Sequence, residues 1–122
     1  MRGKKIVLDL EFIPYRRKQE PYCVHEIIEI GAVALDADNE IYDEFQMYVK
    51  PQYGTVPPFV TAITGITNEM LVGQVSFSEA MQAFEAWLPQ KEPYRFYTWS
   101  GSDQHVFQAE AEWKERPLLG NF

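Results

Sequence analysis

Cysteine is almost absent: Cys23 stands alone among 122 residues. No internal disulfide can form, and a reducing compartment such as the cytoplasm suits the chain. Basic residues are also scarce. Lys and Arg total 11 against 18 Asp and Glu, a net charge of −7. That balance argues against a protein that grips nucleic acid mainly through a basic surface. It leaves open a carboxylate site that attracts phosphate only once a cation is bound. Long apolar runs are missing too. The run after Met1-Arg-Gly-Lys-Lys5 is broken at Asp9, which excludes a signal peptide, and nothing approaches membrane-spanning length. Repeats, low-complexity tracts and linkers do not occur. What is present is core material, 46% hydrophobic and 15% aromatic. It suffices for one small globular domain over residues 1–122.

Lys4 to Leu10 is apolar and β-branched and reads as a buried strand. Residues 13 to 24 hold two prolines and a basic cluster and read as a loop. Glu26 to Leu35 and Ile41 to Val49 read as strands joined by the turn Asp36-Ala-Asp-Asn-Glu40, so the first three strands form an antiparallel meander. Pro57-Pro58 can open a short helix and Gly65 can close it. Ser76-Phe-Ser-Glu79 is a capping-box pattern, with Phe77, Ala80, Met81, Phe84 and Leu88 following at helical spacing until Pro89. Tyr94 to Trp99 reads as a fourth strand, and Ser100 to about Lys114 as a turn and a last helix. The order is that of an α/β fold in which strand four pairs parallel to strand one.

Asp9 and Glu11 lie two apart on the first strand and therefore share a face, opposite Ile6, Leu8, Leu10 and Phe12. Two carboxylates side by side at the end of a buried strand repel and lose hydration. A hard cation such as Mg²⁺ or Mn²⁺ would relieve both. Spacing alone is weak support. With five Asp and thirteen Glu, Asp-x-Glu arises by chance roughly 0.5 times, the usual risk of a short motif. Its second occurrence, Asp38-Asn-Glu40, falls in a turn. Position distinguishes the two, because only Asp9 and Glu11 end the most hydrophobic strand.

Asp103 falls in the first turn of the helix after strand four. One reading is a helix-start aspartate that satisfies free N–H groups and the dipole. The other is a site residue, since α/β sheets gather ligands at the carboxyl ends of strands. Parallel pairing of strands one and four would bring Asp9, Glu11 and Asp103 to one edge.

These residues resemble a known family. Ile6-Val-Leu-Asp-Leu-Glu-Phe12 is similar to the first motif of the DEDD, or DnaQ-like, 3′–5′ exonucleases of the ribonuclease H-like superfamily. His25-Glu-Ile-Ile-Glu-Ile-Gly-Ala-Val33 resembles that family's second strand. Ile63-Thr-Gly-Ile-Thr67 resembles its segment near the substrate terminus, and Tyr97-Thr-Trp-Ser-Gly-Ser-Asp103 its second motif. The Thr-Gly-Ile-Thr form and the long loop after motif one are most similar to the branch of small RNA-trimming and sporulation-associated exonucleases. The resemblance implies a ribonuclease H-like fold and hydrolysis at single-stranded RNA or DNA 3′ ends with two Mg²⁺ or Mn²⁺ ions. Asp9 would bridge both ions, Glu11 would hold the one that activates water, and Asp103 would stand near the other. Phe12, Ile63 and Thr64 would lie beside the last nucleotide.

The family's third motif, His-x-x-x-x-Asp or Tyr-x-x-x-Asp, has no counterpart after Asp103, the last aspartate, and His105, the last histidine. The expectation is therefore a domain that stops after motif two, without its last metal ligand and general base. Such a domain would expose apolar surface at Trp113, Leu118, Leu119 and Phe122 and could self-associate. A binding module that keeps the half-site without cleaving is the alternative. His105, Glu110, Glu112 and Glu115 read as a solvated helix face, and His25 as a border of strand two. Arg16-Arg17-Lys18 is either a substrate-backbone contact or a solvated loop.

Overall fold

The computed structural model describes residues 4–16, 23–98 and 101–114. Strand β1 (Lys4–Arg16) and strand β2 (Cys23–Leu35) form a long antiparallel pair, and β3 (Ile41–Tyr48) continues the meander. Strand β4 (Tyr94–Thr98) joins the other side of β1 in parallel, giving the order β3-β2-β1-β4. The turn between β2 and β3 is built by Asp36, whose Oδ1 accepts from the N–H groups of Asp38 (2.9 Å) and Glu40 (3.0 Å). The Asp38-Asn-Glu40 copy of the motif is thus turn chemistry.

The first two strands reach further than expected. Residues 13–16 and 23–24, read from sequence as loop, extend the β1–β2 pair. Pro14 is tolerated because β4 pairs β1 only over Lys4 to Leu8. Among the described residues no strand pairs with that side of β1 beyond Leu8, where a missing N–H costs no ladder bond. Residues 17–22, including Arg17 and Lys18, lie outside the described part, as do Trp99, Ser100, Glu115, Leu118, Leu119 and Phe122.

Two cores lie along the sheet. Helix α3 (Phe77–Trp87), opened by the Ser76–Glu79 capping box, and helix α4 (Gly101–Trp113) pack with Ile6, Leu8, Leu10, Ile27, Ile30 and Ala32. The second core joins Ile13 and Ile28 to Val56, Val60, Ile66 and Leu71. These last residues come from helix α1 (Pro58–Thr64), helix α2 (Asn68–Leu71) and their flanks. Gly65 closes α1 at φ 80°, a conformation without strain only for glycine. A register shift between Glu11 and Phe12 skips Ile28 of β2. This β-bulge turns Ile27 to the first core and Ile28 to the second.

Candidate active site

The site begins where β4 stops. Thr98 is paired with Leu8, and β1 continues without a parallel neighbour. Helix α4 starts three residues after Thr98, so its first turn faces this opened side of β1. There Asp103 is only 7% exposed, and the backbone N–H of Leu10 on β1 is near enough to oppose the rise that burial gives its pKa.

Electrostatics tie Asp103 to the β1 pair. Burial raises its pKa first, and Asp9 adds to the rise while the Leu10 N–H opposes it. Glu11 is also raised, by burial and then by the negative charges of Asp9, Glu29 and Asp103. Among the described residues, every charge recorded as acting on Glu11 is of its own sign. Asp103, distant in sequence, is thus brought to the edge that carries Asp9 and Glu11, where neighbouring negative charge disfavours the ionised forms of Glu11 and Asp103.

The donors are all carboxylate oxygens, which suits a hard divalent cation and would convert the repulsion into binding energy. Among the described residues no group of three or more His, Cys, Asp or Glu is already arranged to hold a metal ion. The acids thus lie within electrostatic reach of each other without forming a finished cage. The residues fit a metal by chemistry and charge.

The other expected site residues lie on β1 and α1. Phe12 points away from the acids into the first core and meets the His25 ring edge-on, with centroids 5.2 Å apart. Ile13 follows Glu11 on the same strand face and anchors α1 and α2 there. On α1, Ile63 is 81% exposed. Thr64 Oγ1 donates to the Val60 carbonyl (2.8 Å) and accepts from the Ile66 N–H (3.0 Å), which fixes the helix end.

Two features went unforeseen. Glu29 lies directly across β1–β2 from Glu11 and accepts from Gln46 Nε2 at 2.8 Å. The register of an antiparallel pair, invisible before strand ends are known, is what places it. Glu110 corrects the expected solvated helix face. It is 0% exposed, accepting from the Ile27 N–H (2.6 Å) and from Lys114 Nζ (2.6 Å). Helix α4 lies across β2, so this face is inward. The i, i+4 pairing of Glu110 and Lys114 was the available signal. His105 and Glu112 on the same helix are exposed as expected. Trp113, expected to be bare, is half-buried with its ring 5.7 Å from that of Tyr53.

The family model described as Exonuclease (RNase_T) matches residues 6–112, a span that holds all three acids and both β1 partners. The chain belongs to this exonuclease family. It is 35% identical over 82 residues to human 3′-5′ exoribonuclease 1, covering 66% of this chain and 24% of that protein. It is 37% identical over 81 residues to the DNA polymerase III subunit epsilon of Pasteurella multocida, covering 66% and 32%. The chain therefore spans a quarter to a third of these curated relatives. The fold resembles the nuclease domain of 3′hExo, a DEDDh family member solved bound to rAMP. That likeness has TM-score 0.77 and 25% identity, over 94% of this chain and 61% of that one. Escherichia coli exonuclease I, solved with a dT13 oligonucleotide, shares the fold at TM-score 0.68 and 14% identity, over 88% and 23%. The expected ribonuclease H-like α/β architecture is borne out. No helix among the described residues is long and apolar enough to cross a membrane.

Proposed function

We propose that residues 1–122 form an exonuclease domain that acts on single-stranded RNA or DNA 3′ ends and releases nucleoside 5′-monophosphates. The observation that carries this reading is the start of α4 just past the end of β4, which sets the buried Asp103 near enough to the β1 edge for the Asp9 charge to act on both Glu11 and Asp103. In this reading Asp9, Glu11 and Asp103 are the catalytic and metal-holding residues. Their carboxylates would hold two Mg²⁺ or Mn²⁺ ions. When bound, the ions would supply charge stabilisation for attacking and leaving oxygens and a water of lowered pKa.

The chain's own residues do the rest. Exposed Ile63 offers an apolar surface to the terminal base or sugar, and Thr64 holds that end of α1 in place. Phe12, the third side chain expected beside the last nucleotide, packs into the first core away from the acids, so this reading keeps only Ile63 and Thr64 in that role. The sequence has no aspartate after Asp103 and no histidine after His105. A group that takes the water's proton is worth roughly 10²–10⁴-fold. Release by these 122 residues alone is therefore expected to be slow. The single cysteine fits a cytoplasmic setting, and self-association through α4's C-terminal side would supply more cover.

The test incubates the chain with 3′-labelled single-stranded RNA and DNA in Mn²⁺. Slow mononucleotide release from the 3′ end, lost in Asp9→Asn, supports the proposal. Fast release would mean that a proton acceptor has been overlooked or comes from another chain. Tight binding of either strand without any cleavage would favour the second reading, a nucleic-acid- or partner-binding module.

A further inference from the structure

Behind the candidate site lies a buried, charged relay that the proposed chemistry does not use. Glu26 and Glu110 are both 0% exposed, and Lys114 sits between them with 7% of its side chain exposed. Lys114 Nζ is 2.9 Å from Glu26 Oε2 and 2.6 Å from Glu110 Oε2. The remaining oxygens serve the backbone. Glu110 Oε1 accepts from the Ile27 N–H at 2.6 Å. Glu26 Oε1 accepts from the Gly54 N–H at 2.6 Å, and Glu26 Oε2 from the Gln52 N–H at 2.8 Å.

The location of each anchor gives the relay a direction. Ile27 flanks Ile28, the residue skipped where β1 passes from Glu11 to Phe12. The Ile27 bond therefore lands on the β-bulge that sets how Glu11 faces its surroundings. Glu110 and Asp103 are seven residues, about two turns, apart on α4, so one stripe of the helix carries both. The apolar contacts of Val106, Phe107 and Ala111 hold α4 on the sheet. Apolar contact is non-directional and leaves sliding along the sheet poorly determined. A short bond to one particular N–H does not.

We propose that Glu110 is a positioning residue, whose bond to the Ile27 N–H locks α4 to the β-bulge and so sets Asp103 against Glu11. The proposal rests on the reading of Asp9, Glu11 and Asp103 as a metal-holding set. The relay's other arm, through Lys114 and Glu26 to residues 52–54, ties the same helix to the segment that leads into α1.

The experiment measures Mn²⁺ affinity by calorimetry on the 122-residue chain, with all variants held well below their melting temperatures. Glu110→Gln keeps an acceptor for Ile27 and should bind within about twofold of wild type. Glu110→Leu keeps the volume but loses the acceptor. It should bind about tenfold more weakly, the low end of what outer partners contribute to metal sites. Glu110→Asp, shorter by one methylene, retains charge but cannot reach Ile27, and should behave as Glu110→Leu does. It keeps the comparison available if the leucine variant does not fold. Affinities that follow melting temperature rather than the presence of the acceptor would overturn the proposal, as would equal affinities for the Gln and Asp variants. Mn²⁺ binding that survives Asp9→Asn would instead overturn the site reading, whatever the Glu110 variants do.

Discussion

Two acidic clusters sit within one small domain and are handled in opposite ways. Behind the sheet, Glu26 and Glu110 are buried, but an ammonium stands between them and N–H groups occupy their other oxygens. At the sheet edge, Asp9 raises both Glu11 and Asp103, and among the described residues no cation is recorded acting on either. Burial is therefore a poor guide to which acids are functional, since the deepest ones are the most completely satisfied. Unrelieved mutual repulsion is the better guide. In the proposed reading of the edge, a ligand cation would relieve that repulsion.

The comparison breaks most sharply if the edge does not bind metal. Asp9→Asn should abolish Mn²⁺ binding in calorimetry, while Glu40→Gln, in the turn copy of the motif, should leave it unchanged. Asp103→Ala should retain the tighter ion and lose the weaker. Uniform binding across all three would place the metal elsewhere.

The interior cluster should answer to removal of its cation. Lys114→Met leaves two buried carboxylates facing each other, and breaking a buried pair in this way costs about 3–5 kcal/mol. Urea titration would read the loss. An effect below about 1 kcal/mol would mean that water reaches the cluster and that the contrast with the edge is false. Gly54→Ala should cost less, about 1–3 kcal/mol, as overpacking does. A Cβ there would lie 3.0 Å from Ile13 Cδ1 and 3.1 Å from Glu26 Oε1.

A pH titration sharpens the same contrast. Burial pushes Glu110 from 4.5 up to about 7, against the opposing pull of Lys114 and the Ile27 N–H, with Glu26 adding to the rise. The folded chain then keeps a proton that the unfolded chain gives up at lower pH. Stability from this group is full below about pH 4.5 and is lost as pH rises through about 7. Glu110→Gln should remove that part of the pH dependence. An unchanged profile between pH 5 and 7 would assign it to other groups.

How much of this was legible in the sequence depended on range. The meander, the parallel β4, the capping box at Ser76 and the closure at Gly65 follow from local pattern, and all are present. Asp9 and Glu11 were visible because a strand's period is two. Asp103 needed topology, and the parallel β1–β4 pair supplied it. Glu110 was misjudged because a 13-residue helix with charges on several faces gives little periodic contrast. Its partner N–H is 83 residues away in sequence. Glu29 and the bulge at Ile28 depend on register, which a hydrophobic pattern fixes only once both strand ends are known. The extension of β1 through Pro14 was hidden for a related reason. Proline argues against a strand unless one side is known to be free.

The smallest expected effect is the most direct test of repulsion at the edge. In chelator, Asp9→Asn removes one of the negative charges that raise both Glu11 and Asp103. Metal-free protein should then melt at the wild-type temperature or slightly above it, as happens when a functional-site conflict is relieved. Asp9 is exposed, so the gain should be small and should shrink with salt, whose screening length falls to about 3 Å at 1 M. Added Mn²⁺ should reverse the order, because only wild type gains the stabilisation of binding to the folded state. A clear drop in melting temperature in chelator would mean that Asp9 is held by partners of its own. The edge would then resemble the interior cluster, and the distinction between repelling and satisfied acids would no longer mark the site.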